Sequence, residues 1–306
     1  MRKVEIELMT VTPLFLGGSD PRSGQPPELR PPSFRGAMRY WYRAVLGGVV
    51  GDKNLQAVRQ LETMVFGSTD VGSPISLRIR GNLKWSLHDI LPHKNAGKRN
   101  AFNPEQTFWL TMSASPACPD LVWTNACMAL NLMLTLGGVG LRSRRGMGSL
   151  QVVQSSNLQL VPVFPKQESE VEEFVEIVIR SAIRHIQALA DYKKIAMHGL
   201  PKAPTQFPCA ARDADIRLYR MKATDGVKAV AELMKLFPKQ KWLGGISPRQ
   251  ASPVWARVFK VDEGYRCLFT LLPSKLVQES HDYSKVKQWF ENTVGQACVL
   301  VKGWNS

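Results

Sequence analysis

The order of strand and helix patterns in the first half of the chain restricts its fold more than any other feature. Alternating apolar residues predict strands at residues 4–12, 75–80, 108–114 and 150–153. Amphipathic or mainly apolar stretches predict helices at residues 34–46, 55–66 and 121–136. Apart from the short helix at 55–66, the order is strand, helix, strand, strand, helix, strand, which predicts a ferredoxin-like unit.

The second half of the chain mixes helices and strands in a similar way. Its predicted elements are a long amphipathic helix at 168–196, a strand at 216–221, a helix at 227–237, a hairpin at 254–272 and a final helix at 284–301. We therefore expect an α+β fold of two tandem ferredoxin-like units, of which the second is degraded. The expected domains are residues 1–165 and residues 166–306.

Residues 137–149, GGVGLRSRRGMGS, contain five glycines and three arginines. Glycine lets the backbone approach a ligand closely, and the arginine fork matches phosphate oxygens. The run lacks the G-x-G-x-x-G spacing because Ser143 interrupts it, and it is not a P-loop. It is either a flexible turn with solvated arginines or a loop that binds a polyanion. The candidate binding residues are Gly138, Gly140, Arg142, Ser143, Arg144, Arg145, Gly146 and Gly148.

The first predicted helix carries a row of arginines, namely Arg35, Arg39 and Arg43, on a face separate from its apolar stripe. Trp41 lies on the apolar stripe and is expected in the core. Residues 33–50 contain no Asp or Glu, whereas a solvated helix face usually mixes both signs. This pattern favours a face that contacts phosphates over an ordinary solvated face.

The composition indicates the class of partner. The net charge of +15 predicts a polyanion, with nucleic acid first and an anionic membrane surface second. The N-terminus has no apolar signal core, and the apolar run at 121–136 is too short and too polar to span a bilayer. The five cysteines are scattered and the histidines lack metal spacing. We expect a cytoplasmic protein with reduced thiols, no metal, no cofactor and no membrane partner.

Several ordered motifs carry a resemblance to one family. They are TPLFLGGSD, PPSFRGAMRYWYRAVLGG, ETMVFGSTDVGSPISLRI, GGVGLRSRRGMGSL and SPVWARVFKV…YRCLFTLLPS. They resemble the RAMP superfamily of CRISPR proteins, and within it the first subunits of type III-B (Cmr) effector complexes. The resemblance implies a tandem ferredoxin-like fold and a subunit that caps the complex at the 3′ end of the guide RNA. It also implies contact with guide or target RNA, with the backbone subunit and with the neighbouring capping subunit.

A ribonuclease is the alternative to a non-catalytic RNA-binding subunit. A metal-free RAMP ribonuclease often takes its general base from a histidine early in the chain, and its Gly-rich loop is C-terminal. In this chain the first histidine is His88 and the Gly-rich run is in the middle, which argues against that kind of enzyme. A metal-dependent RAMP-type endoribonuclease would use a loop aspartate, for which Asp20 and Asp70 are the candidates. Loop aspartates are usually turn formers, so we expect no catalytic residue.

Single-stranded RNA is therefore the expected ligand, recognised mainly through its phosphate backbone. We expect one groove to bring together Arg35, Arg39, Arg142, Arg144 and Arg145. Residues 84–105 form a basic segment that predicts a surface loop, disordered in the absence of a partner.

Overall fold

Two four-stranded antiparallel sheets organise the part of the chain that the computed structural model describes, which is residues 2–17, 24–245, 247, 249–276, 283–295 and 298–301. In chain order, the first unit comprises β1 (Lys3–Thr10), α1 (Pro31–Val50), α2 (Leu55–Phe66), β2 (Ile75–Arg80), β3 (Trp85–Leu91), β4 (Ala96–Phe102), β5 (Thr107–Ala114), α3 (Asp120–Leu136) and β6 (Leu150–Ser155). Its sheet has the order β2–β5–β1–β6, which is the ferredoxin-like order predicted from the sequence.

The central strand β1 shows why this sheet forms. Val4, Ile6 and Leu8 are fully buried and alternate with half-buried residues, so one face of the strand packs on helices. The helix α1 begins at Pro31 rather than near residue 34, because proline is tolerated in the first turn, where an N–H has no intrahelical partner. Trp41 is fully buried, as expected.

The second unit is complete rather than degraded. The remaining elements are α4 (Val171–Tyr192), β7 (Asp215–Arg220), α5 (Gly226–Lys235), β8 (Val254–Val261), β9 (Gly264–Leu271), α6 (Tyr283–Val294) and β10 (Cys298–Val301). Its sheet has the order β10–β7–β9–β8, which repeats the first sheet. The helix predicted at 284–301 ends at Val294, and β10 pairs with β7. The α+β tandem fold is therefore confirmed.

The basic segment at 84–105 is ordered, which corrects the expectation of a disordered loop. The strands β3 and β4 form an antiparallel hairpin that pairs Trp85 with Phe102 at its base and Leu91 with Ala96 near its tip. Phe102 is buried, and its backbone also pairs with Leu14 of the first unit. Because one strand end is anchored in the core, the polar hairpin keeps a fixed position.

The helix α4 packs with the helices of the first unit. Its buried residues, such as Val175, Ile179 and Ile186, belong to the same apolar core as α1 and α3. Its closest packing is against α3, although the predicted boundary at residue 165 assigns α4 to the second unit. That boundary stays a prediction, and this packing favours placing the helix with the first unit.

The two faces of β8 join the units. Val254, Ala256 and Val258 face the second core together with α5 and α6, whereas Trp255 and Phe259 enter the first core. The alternation follows from the period of two residues along a strand. The second sheet is thus covered on one face by its own helices and on the other by the first unit.

A glycine substitution tests the tight packing of the Gly-rich segment at residues 137–149. Gly148 has φ of +62°, and a Cβ there would lie 1.9 Å from the Val139 carbonyl oxygen. We expect Gly148→Ala to lower the free energy of unfolding by about 1–3 kcal/mol, measured by urea denaturation. The matched control is Gly36→Ala in α1, where a Cβ meets nothing within 4 Å.

Gly36→Ala should instead stabilise the protein by about 0.5–1 kcal/mol, since alanine is the better helix former. Equal, small effects of the two substitutions would contradict the packing described for this segment.

Candidate RNA-binding site

The Gly-rich loop, residues 137–149, lies between α3 and β6 and packs closely against its surroundings. A Cβ on Gly146 would lie 2.5 Å from Leu233 Cδ2 in the second unit. The amide of Gly146 donates to the Ser143 carbonyl, and the amide of Gly148 donates to the carbonyl of Pro13. Because these two amides already donate to backbone carbonyls, the glycines serve close packing more than ligand binding. Gly138 is also buried, whereas Gly140 is exposed.

Arg144 points from this loop to the second unit. Its guanidinium lies 4.8 Å from the ring centroids of both Tyr40 and Trp255, and Nη1 donates to the Ser252 carbonyl. The Trp255 indole N–H in turn donates to the Tyr40 hydroxyl at 2.8 Å. The guanidinium therefore holds a helix of the first unit and a strand of the second unit together.

Arg145 makes a second connection of the same kind. Its Nη2 donates to the Leu243 carbonyl at 2.5 Å, and its Nη1 donates to Ser252 Oγ at 3.0 Å. The guanidinium also lies 3.8 Å from the ring centroid of Phe237. Burial, assisted by the charges of Arg142 and Arg144, lowers the pKa of Arg145 to about 9. The side chains of Arg144 and Arg145 thus both contact other parts of the protein.

Arg142 differs from its two neighbours. It is exposed, its backbone has φ of +58°, and among the described residues no ion pair or side-chain hydrogen bond from its guanidinium is found. Ser143, which follows, is half-buried at the start of a 3₁₀ turn. Of the three loop arginines, Arg142 is thus the most exposed.

The arginines of α1 are partly neutralised by a carboxylate that the local sequence does not show. Glu62 of α2 accepts from Arg39 Nε at 2.5 Å and lies 3.3 Å from Arg43 Nε. Arg35 donates through Nη2 to the Ile75 carbonyl at 3.0 Å. The side chains of Arg39 and Arg43 keep 34% and 48% exposure, which leaves donors available to an anion.

The loop and the arginine helix meet at Tyr40. That residue contacts Arg144 on one side and, with Arg43, borders an open cavity of about 290 Å³ on the other. The remaining walls of the cavity are Leu55, Val58, Phe207 and Pro208. The five arginines expected in a single groove therefore have different surroundings. Arg144 and Arg145 contact the second unit, whereas Arg39 lies beside Glu62 and Arg35 donates to the Ile75 carbonyl.

The residues of the alternative, catalytic interpretation are placed differently. Asp20 lies outside the described residues. Asp70 is exposed in a turn, where its amide donates to Ser68 Oγ at 3.2 Å. Within the described ranges there is no group of three or more His, Cys, Asp or Glu side chains that could hold a metal ion. The same residues include no helix that is both long and apolar enough to cross a membrane.

The expectation of reduced thiols stays a prediction from the sequence, and the structure places four of the five cysteines in the interior. Cys118, Cys127, Cys209 and Cys267 are buried, and none of the four forms a disulfide within the described part of the chain. Burial raises the pKa of the Cys127 thiol to about 12, as it does for Cys209. These thiols fill the cores of the two units.

Comparison with known proteins identifies the family of the first unit. The model of the RAMP superfamily matches residues 7–151, which include α1 and the Gly-rich loop. Over 183 residues the chain is 30% identical to the CRISPR system Cmr subunit Cmr1-2 of Pyrococcus furiosus, an alignment that covers 50% of this chain and 96% of that relative. The chain belongs to the RAMP superfamily.

Other RAMP proteins are similar over different lengths. The Cmr subunit Cmr1-1 of Pyrococcus furiosus is 33% identical over 177 residues, and the alignment spans 51% of this chain and 49% of that relative. The crystal structure of Cmr1 from Pyrococcus furiosus in its apo form has a TM-score of 0.68 at 19% identity and covers 99% of both chains. A chain of the type III-B Cmr-beta complex bound to cognate target RNA has a TM-score of 0.58 at 12% identity, covering 95% of this chain and 99% of that one. These structures share the tandem fold.

Substitution of the loop arginines distinguishes their roles. Arg145→Ala should lower the free energy of unfolding by about 2–3 kcal/mol, because the variant lacks two charged hydrogen bonds across the joint and the cation–π interaction with Phe237. Arg142→Ala in the same loop should change it by no more than about 0.5 kcal/mol. Chemical denaturation followed by tryptophan fluorescence measures both, and equal decreases in stability would contradict the assignment.

Proposed function

We propose that this RAMP protein is a non-catalytic RNA-binding subunit of a type III-B (Cmr) CRISPR effector complex, which acts in RNA-guided antiviral defence in the cytoplasm. It caps the complex at the 3′ end of the guide RNA, beside the backbone subunit and the neighbouring capping RAMP subunit. The observation that carries the proposal is the similarity to Cmr1-2 over 96% of that relative.

The charge of the chain supports RNA as the ligand. Forty Lys and Arg residues stand against 25 Asp and Glu residues. A single strand held by cations is recognised through its phosphates, and such contacts do not depend on base identity. A subunit that binds guide or target RNA in this way accepts any spacer sequence.

The arginines divide into two sets with different roles. Arg142 and the arginines of α1 bind phosphates, because their side chains are at least partly exposed. Arg144 and Arg145 act as positioning residues, since their hydrogen bonds to the second unit fix the loop that carries Arg142. Gly138, Gly140, Ser143, Gly146 and Gly148 shape this loop.

The experiment is binding of labelled single-stranded RNA and double-stranded DNA over a series of salt concentrations with Mg²⁺ present. We expect salt-dependent binding of intact RNA. The triple variant Arg35→Ala, Arg39→Ala, Arg43→Ala should lower the slope of log K against log salt by about 0.7 for each phosphate that it no longer binds. The triple variant Arg180→Ala, Arg184→Ala, Lys193→Ala is the control for the change in charge, since it removes three positive charges from exposed positions on and beside α4.

Two results would contradict the proposal. Absence of RNA binding at low salt would remove its basis. Metal-dependent cleavage of the RNA that Asp70→Asn or Asp20→Asn abolishes would instead favour a RAMP-type endoribonuclease.

A further inference from the structure

Three segments that are distant in sequence converge beside Arg142. They are the 3₁₀ turn Pro92–Lys94 at the tip of the β3–β4 hairpin, the Gly-rich loop, and the end of α5 with the residues after it. Their basic side chains form a set that we call the tip cluster, defined as His93, Lys94, Arg142, Lys235 and Lys239. The hairpin and the loop belong to the first unit and α5 belongs to the second, so the tip cluster spans the interface between the two units.

The charges of the tip cluster lie close enough to act on one another. Burial lowers the pKa of His93, and the positive charges of Lys94, Arg142, Lys235 and Lys239 lower it further. The 3₁₀ turn Pro92–Lys94 packs against α5, and the nearby Lys239 ammonium is the largest cause that lowers the pKa of Lys94. An ammonium group donates and cannot accept, so two of them meet favourably only around a shared acceptor.

The tip cluster lacks carboxylates. The ion pairs of the described residues join other cations to their acids, and none includes Lys94, Arg142, Lys235 or Lys239. The three lysines and Arg142 are exposed, whereas His93 Nδ1 is buried without a hydrogen-bond partner in the described structure. The charged donors thus face solvent without an acidic partner among the described residues.

A purely structural role explains only part of this arrangement. Lys235 lies in the last turn of α5, where a cation favours the negative end of the helix dipole. That effect does not extend to Lys94, which is brought from another unit towards Lys239. Two like charges placed together at the surface repel each other unless an anion lies between them.

We propose that the tip cluster binds phosphate groups of single-stranded RNA, with Arg142 as the bidentate donor and the lysines as point charges around it. The identity of the ligand rests on the proposed function, whereas the site itself adds residues that the arginine helix and Gly-rich loop do not include. A bound phosphate satisfies Lys94 and Lys239 together and offsets the repulsion felt by His93.

The position of the hairpin makes this site depend on both units. Glu105, which follows β4, accepts from Lys260 Nζ at 2.5 Å and from the Tyr265 hydroxyl at 3.1 Å, both in the second unit. Ile90 near the tip packs on the second core. The same interactions that dock the hairpin therefore bring Lys94 to α5, and RNA bound there connects the two units.

The test uses the full chain and a fluorescently labelled single-stranded oligouridine, with binding followed by anisotropy over a series of KCl concentrations. The test variant is Lys94→Gln, Lys235→Gln, Lys239→Gln. We expect its affinity at low salt to fall at least about tenfold and its salt slope to fall by about 2, which corresponds to three phosphates at about 0.7 each. The control variant is Arg180→Gln, Arg184→Gln, Lys193→Gln, which removes the same charge from exposed positions on and beside α4.

The outcomes separate this inference from the proposed function. If the wild-type protein binds the oligouridine and the test variant matches the control in affinity and slope, the tip cluster does not bind phosphate, although the proposed function stands. If the wild-type protein binds no RNA at low salt, the proposed function fails and the ligand assigned to the tip cluster fails with it. Thermal melts of both variants should match the wild type, because all six substituted side chains are exposed.

Discussion

The rest of the structure depends on the hydrogen bonds that Arg144 and Arg145 donate to the second unit. Both residues lie in the 3₁₀ turn Ser143–Arg145. Arg144 donates to the Ser252 carbonyl and Arg145 donates to Ser252 Oγ, across the interface between the two units. Cation–π interactions with Tyr40, Trp255 and Phe237 add to these hydrogen bonds. The two ferredoxin-like units therefore share one fixed arrangement, to which the contacts of Glu105 and Ile90 with the second unit add.

This arrangement shows how a Gly-rich, Arg-rich loop can combine close packing with an exposed arginine. The glycines let the loop pack closely against Phe15 and the second unit, while Arg142 is exposed. The neighbouring hairpin and α5 supply further cations that no single segment holds. We therefore propose that a polyanion binds at the interface between the two units, which suits a chain with net charge +15.

Local sequence patterns predicted most helices and strands. They did not predict which side chains pair between segments that are distant in sequence. The alternation of Val4, Ile6 and Leu8 identified β1, and the apolar stretch at 121–136 identified α3. Glu62 could not be paired with Arg39 from sequence, because its helix α2 is separate and only the fold brings the two together. The strand β10 was predicted as the end of a helix, since a short apolar run fits either element. The residues of the tip cluster come from three segments, so no local motif marks them.

Photo-crosslinking tests the central claim most directly. Single-stranded RNA that carries 4-thiouridine is bound to the full chain and irradiated, and the crosslinked peptides are identified by mass spectrometry. We expect crosslinks at residues 92–95, at Arg142 and at residues 235–239, where the exposed cations converge. Crosslinks confined to α4, with none at these three segments, would contradict it.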